Sequence, residues 1–184
     1  MRVHRCGDAA GFLAATLEYR DREPLRTNVL GSVASVAANG EVPTVETFWW
    51  LVRDDDDRVV GAAMRTEPYA LSLGPMTTAC AEALAASVVS VDADLPAVAG
   101  FSAPVEAFLD AYAAAGSPKV ALASQRQVLY AATAVDVPEV PGEPVVATEG
   151  ELELAQQWYL DFTEEVDGVR IGANGVDRAM LLAT

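Results

Sequence analysis

Thr44-Val45-Glu46-Thr47-Phe48-Trp49-Trp50-Leu51-Val52-Arg53-Asp54-Asp55-Asp56-Asp57-Arg58-Val59-Val60-Gly61-Ala62-Ala63-Met64-Arg65-Thr66 is the stretch that decides the fold class. Its first part, to Arg53, is rich in β-branched and aromatic residues, which suit a pleated, half-buried surface. Four aspartates interrupt it, and Arg58 to Thr66 resumes as a strand. Consecutive aspartates in an extended chain point alternately to opposite sides. A calcium loop instead wraps its ion with spaced oxygen ligands, an internal Gly and a later Glu. Asp54 to Asp57 therefore reads as a hairpin turn rather than a calcium site. Trp49 and Trp50 point to opposite faces of a regular strand. One is expected in the core and the other along a groove or interface, where a buried aromatic is a frequent hot spot.

Downstream, Tyr69, Leu71 and Leu73 alternate along a third strand that ends at Gly74-Pro75. A helix follows from Met76, capped by Thr77 or Thr78, with Leu84, Val88 and Val91 on one face. Asp92 to Pro96 is a loop and Val98 to Phe101 a short strand. Ser102 caps the next helix, Pro104 sits in its first turn, and Val105, Phe108, Leu109 and Tyr112 recur at helical spacing. Gly116 and Pro118 end it, and Gln127 to Val135 reads as a long strand. Upstream, Arg2 to Cys6 is a first strand, and Asp8 caps a helix carrying Phe12, Leu13, Thr16 and Leu17. Pro24 opens a second helix with a stripe of Leu25, Val29, Val33 and Val36, stopped by Asn39-Gly40.

Pro138, Pro141, Gly142 and Pro144 mark a boundary, which sets a first domain at 1–140 and a second unit at 141–184. In the second unit, Glu143 to Ala147 is a further strand, and Thr148-Glu149-Gly150-Glu151 fits a capping box. The helix it opens places Leu152, Ala155, Tyr159, Phe162 and Val166 on one face, Gly168 stops it, and Asn174 to Leu182 forms a last helix. Exposing that five-residue stripe would forfeit several kcal/mol, at roughly 1.5–3 kcal/mol for each large apolar side chain. The stripe must therefore pack on the first domain, on a second copy of the chain or on a missing lobe, and a homodimer or a domain-swapped contact through residues 148–184 is expected.

The 184 residues carry 27 acids against 12 Lys and Arg, for a net charge of −15. Nucleic acid binding draws on clustered Lys and Arg, and this scattered dozen excludes it. The acid excess also argues against an anionic membrane surface. No apolar run reaches the roughly 18–20 residues that span a bilayer. The start lacks the apolar region of a secretory signal, so a soluble, cytoplasmic protein is expected. From Asp136 to Asp167 there are ten acids and no Lys or Arg, a solvated face or a surface for a basic partner or amine. Cys6 and Cys80 lie far apart and with one histidine form no zinc pattern; two reduced thiols are expected. That histidine, His4, falls on the first strand without a nucleophile motif beside it, and a structural role is expected of it.

The element order β-α-α-β-β-β-α-β-α-β resembles the GNAT superfamily of N-acyltransferases. Arg65-Thr66-Glu67-Pro68-Tyr69-Ala70-Leu71-Ser72-Leu73-Gly74-Pro75-Met76 is similar to the third-strand to helix region of actinobacterial two-lobed members. So are Tyr130, Val137-Pro138, Val140-Pro141-Gly142, and Thr148-Glu149 with the helix around Trp158 and Phe162. The resemblance covers essentially the whole chain. It implies an α/β (α+β) fold, a mixed, mostly antiparallel sheet flanked by helices, and acetyl transfer from acetyl-CoA to an amine in the full-length protein.

In active members the fourth strand enters a loop with Gln or Arg, two residues, Gly, one residue, then Gly or Ala, whose amides hold the coenzyme pyrophosphate at a helix start. The matching place here is Leu73-Gly74-Pro75-Met76-Thr77-Thr78-Ala79, with one glycine, a proline lacking an N–H, and no cation. Leu73, Gly74 and Met76 thus mark a vestigial coenzyme position. No cofactor is expected on this chain, which stops before the acetyl-CoA site of a second lobe. Family chemistry needs a base for the amine and a donor for the thiolate. Glu46 or Glu67 and Tyr69 or Tyr130 are the candidates, and surface carboxylates and core tyrosines explain all four as well. A free-standing, non-enzymatic binding module on a decayed lobe is the alternative.

Overall fold

The computed structural model describes residues 1–40, 46–91, 95–116, 125–143 and 145–167. The chain packs as two units, Met1–Ala131 and Ala132–Thr184. In the first, five strands form one sheet in the order β1-β2-β3-β4-β5: β1 (Arg2–Cys6), β2 (Thr47–Arg53), β3 (Val59–Thr66), β4 (Leu71–Leu73) and β5 (Val98–Ala99). The first three pairings are antiparallel, and β4 with β5 is parallel. The sheet is mixed, mostly antiparallel and flanked by helices, as the resemblance implied.

The hairpin turn forms because Asp54 is both acceptor and corner. Its carboxylate accepts from the Asp56 and Arg58 amides at 3.0 and 2.9 Å, and Asp57 adopts a positive φ of 66°. Arg2 and Arg58 pair with Asp57 and Asp56 at 2.9 and 2.8 Å, so the acid run is neutralised by neighbouring arginines. Register sends alternate β2 residues to opposite faces. Phe48, Trp50 and Val52 pack with Leu71, Leu84 and Phe108 in one core layer. Trp49 and Leu51 pack with Phe12, Tyr19 and Leu30 in the other. Trp49 and Trp50 are both buried, which corrects the expectation that one of them lines a groove: helices cover both faces of the sheet, so each tryptophan is core.

One face is covered by α1 (Ala9–Ala15), α2 (Leu17–Arg22) and α3 (Asn28–Ala38), the other by α4 (Thr78–Val89) and α5 (Ser102–Ala114). Asp8 caps α1, accepting from the Gly11 amide at 2.7 Å. Thr77 caps α4 by accepting from the Cys80 amide. Ser102 is not a cap: it is the first residue of α5, and the cap position is Phe101.

The helix read from Pro24 onward is also corrected. The Arg26 and Thr27 amides donate to the Glu23 carbonyl, closing a separate turn around Pro24, and α3 starts only at Asn28. Its buried side is Leu30, Gly31 and Ala34, whereas Leu25, Val29 and Val36 are exposed. Small residues let this helix lie close to the sheet; Val33 of the expected stripe packs against this core, and its other members face out.

Residues 127–135 are not a strand; the segment is irregular and Val128, Tyr130 and Val135 are exposed. Strand preference expresses packing against neighbours, and β5 is only two residues long, too short to template a ladder. Among the described residues of 143–147 there is likewise no strand. In the second unit a 3-10 turn, Glu149–Glu151, leads into α6, Leu152–Asp167. Phe162 and Val166 of its expected buried stripe are exposed, together with Leu154 and Trp158. The last helix expected at 174–182 lies outside the described residues, as do Thr44, Val45, Pro118, Pro144 and Gly168. No helix among the described residues is long and apolar enough to cross a membrane.

Candidate functional site

The turn after β4 is built around a close approach. Tyr19 of α2 is 6% exposed and donates its hydroxyl to the Pro75 carbonyl at 2.8 Å. Burial, with the Glu23 charge adding to it, pushes the Tyr19 phenol well above its ordinary range. A β-carbon on Gly74 would collide with the Tyr19 hydroxyl and come within 2.7 Å of Leu30 Cδ1. Glycine is required there by the approach of α2 to the sheet, and the Gly74 amide donates to the Ala62 carbonyl at 2.8 Å. Leu73 is buried in the core, and Met76 packs against it from the side of Gly61. The place read in sequence as a vestigial coenzyme position is packed at the end of β4: Leu73 is core, the Gly74 amide is engaged, and Pro75 has no amide to offer.

The expected bases do not reach this turn. The Glu67 amide donates to the Glu46 carbonyl at 3.0 Å, so these two acids neighbour each other at the far end of β2 and β3, where Tyr69 is 71% exposed. Gly74 is opposite Ala62, five strand positions from Glu67, or roughly 16 Å at the strand rise. Glu67 contacts Arg65 at 3.6 Å instead. Tyr130 is exposed on the irregular segment, and His4 is exposed on the edge strand β1, across from Leu51. The structure therefore brings Glu46, Glu67 and Tyr69 to one end of the sheet and leaves the Gly74 turn apart from them.

Beside Pro75 lies a cleft of about 450 Å³ that sequence reading missed. Arg22 and Arg26 line it, together with Met76, Thr77 and Phe101. This corrects the reading that no cation stands near the turn. The two arginines come from about fifty residues upstream in sequence, and only the packing of α2 against β3 brings them here. Arg22 donates to the Val59 carbonyl at 2.8 Å and to the Glu18 carbonyl at 3.3 Å. Arg26 pairs with Glu23 at 2.7 Å, and its guanidinium carbon stands 4.2 Å from the Phe101 ring centroid. Neither α4 nor α5, both of which begin at this cleft, has an acid in its first turn, so the positive ends of their dipoles are not neutralised locally.

A second groove, about 590 Å³, runs between α4 and α5 and has the opposite character, with Glu82, Glu106 and Asp110 on its walls. Among the described residues no group of His, Cys, Asp and Glu is placed to hold a metal ion. Cys6 and Cys80 are free and belong to opposite faces of the sheet. Set against protein-family models, curated proteins and solved structures, the chain matches none of them.

Proposed function

We propose that residues 1–140 are a decayed lobe of the GNAT plan. It is the N-terminal, non-catalytic part of a bacterial N-acyltransferase that moves acetyl from acetyl-CoA to an amine, and it does not itself hold the coenzyme. The family comparison rests on the sequence resemblance and on a mixed, mostly antiparallel sheet flanked by helices; three helices rather than the expected two stand between β1 and β2. The observation that carries the silent-lobe reading is the turn at Gly74-Pro75. A pyrophosphate is held by several convergent N–H groups. Here one amide is bonded to Ala62, the next residue has none, and the Pro75 carbonyl already accepts from Tyr19. Calorimetry of acetyl-CoA titrated into the chain tests it: no heat is expected at millimolar ligand, and saturable binding would overturn the reading.

The second reading, a free-standing binding module on the same decayed lobe, is favoured by the arginine-lined cleft, which needs no second lobe to be complete. Acetyl transfer by the full-length product, lost when a further lobe is deleted, separates the two. In either reading the protein is cytoplasmic, where two thiols on opposite sheet faces persist reduced. The exposed side of α6 pairs with a second copy of the chain.

A further inference from the structure

We propose that the cleft between α2 and the starts of α4 and α5 binds a small organic carboxylate with an apolar body, its carboxylate held by Arg22 and Arg26. The inference does not rest on the acyltransferase reading. Its first support is that the cations are already held in place. Arg22 is fixed by two backbone carbonyls, Val59 and Glu18, and so uses two of the five N–H donors of a guanidinium. Arg26 stacks on Phe101, gives one bond to Glu23, and has donors to spare. Guanidinium groups fixed in this way lose little freedom on meeting an anion, and their planar fork matches a carboxylate.

The second support is contrast. On a molecule with a net charge of −15, this cleft has one acid among the described residues of its walls, Glu23, and that acid is already paired with Arg26. Among the described residues, the neighbouring groove holds three acids and no cation. An anion is repelled over most of the surface and attracted here. The third support is the remaining wall. Val60, Pro75, Met76, Phe101 and Pro104 offer apolar surface beside the arginines, which a bare inorganic anion would leave uncovered. The volume of about 450 Å³ falls within the range of small-molecule sites. Glu23 sets the affinity: it competes with the ligand for Arg26.

The probe is 4-methylpentanoate, titrated into the full chain and followed by calorimetry and by amide NMR shifts. The expected result is saturable binding at low millimolar concentration or tighter, weakening with salt, with shifts at Val60, Met76 and Thr77. The neutral isostere 4-methylpentanamide should bind at least about tenfold more weakly, and inorganic phosphate more weakly than the carboxylate. Arg22→Gln with Arg26→Gln should weaken binding by about tenfold or more, while Glu23→Gln should tighten it several-fold. The Glu23→Gln gain is the readout that a merely structural role for these arginines would not produce. No saturable binding by 10 mM, equal affinity for the amide or for phosphate, shifts confined to other residues, or no tightening in Glu23→Gln would each overturn the proposal. The first, second and third of these are read on the unaltered protein, so misfolding of a variant cannot mask the answer. Acetyl-CoA is titrated separately: its binding would defeat the silent-lobe reading and leave the carboxylate result standing by itself.

Discussion

Gly74 and Tyr19 constrain each other. A methyl at position 74 would meet the Tyr19 hydroxyl, the Leu30 side chain at 2.7 Å and the Ala62 carbonyl at 3.1 Å, and the last of these is backbone that cannot step aside. Gly74→Ala should therefore cost about 1–3 kcal/mol, the usual range for overpacking. Tyr19→Phe leaves the Pro75 carbonyl without its donor and should cost about 1–3 kcal/mol. The double variant should lose less than the sum, because the phenylalanine removes one of the atoms that the new methyl strikes. Urea unfolding of the four proteins measures this, and strict additivity would show that the two residues do not touch. The same phenol gives a pH dependence. Its folded-state pKa is raised, chiefly by burial, so its contribution is complete below the ordinary phenol value of about 10 and is lost as the pH rises through the folded value. Stability of the unaltered protein should thus decline above about pH 10, and Tyr19→Phe should flatten that decline.

At the scale of elements, the capping box at the start of α6 is a titratable switch. The Glu151 carboxylate accepts from the Thr148 amide and hydroxyl, both at 2.9 Å, and these bonds, the amide's first, hold its pKa below the ordinary glutamate range. A lowered carboxyl pKa means that the bonds are fully present above the ordinary value of about 4.3 and are lost as the pH falls through the lowered one. NMR should show the Glu151 carboxyl titrating below about pH 4.3, with amide order at 149–152 lost in the same window. Thr148→Ala should return the midpoint toward the ordinary value, and an unmoved midpoint would mean that the box does not form in solution. This element was legible in the sequence because all of its bonds are local. So were the Asp8 and Thr77 caps and the Asp54–Asp57 hairpin, whose partners sit within four residues. What was not legible depended on distance. The start of α3 at Asn28 rather than at Pro24 rests on a turn closed on Glu23, beside Arg22, which itself reaches across to Val59. Gln127 to Val135 has strand composition but no strand to lie against. The cleft is assembled from Arg22, Arg26, Pro75 and Phe101, whose spacing in sequence says nothing of their meeting, whereas Glu46, Glu67 and Tyr69, weighed in sequence both as chemical groups and as ordinary surface and core residues, lie at the other end of the sheet.

For the whole molecule, the proposed pairing of two copies through α6 sets an apolar gain against the repulsion of an acidic chain. Leu154, Trp158, Phe162 and Val166 recur every four residues and are 50–66% exposed, so they form one apolar strip along the helix. The stretch from Glu149 to Asp167 also carries seven acids and no Lys or Arg. Two copies meeting on this strip gain apolar burial, at roughly 1.5–3 kcal/mol for each large side chain, and bring like charges together. The charge term is long-ranged and screened: the Debye length falls from about 10 Å at 0.1 M salt to about 3 Å at 1 M. The apolar term is not weakened by salt. Self-association through α6 should therefore strengthen as salt is raised, opposite to the carboxylate cleft, whose affinity salt weakens. Sedimentation equilibrium should show the dimer fraction at fixed protein concentration rising between 0.05 and about 0.5 M sodium chloride. Trp158→Glu, which removes the largest apolar group and adds a like charge, should give monomer at every salt concentration. A monomeric mass for the unaltered chain at high salt, or a dimer that persists in Trp158→Glu, would show that α6 is not the surface on which two copies meet.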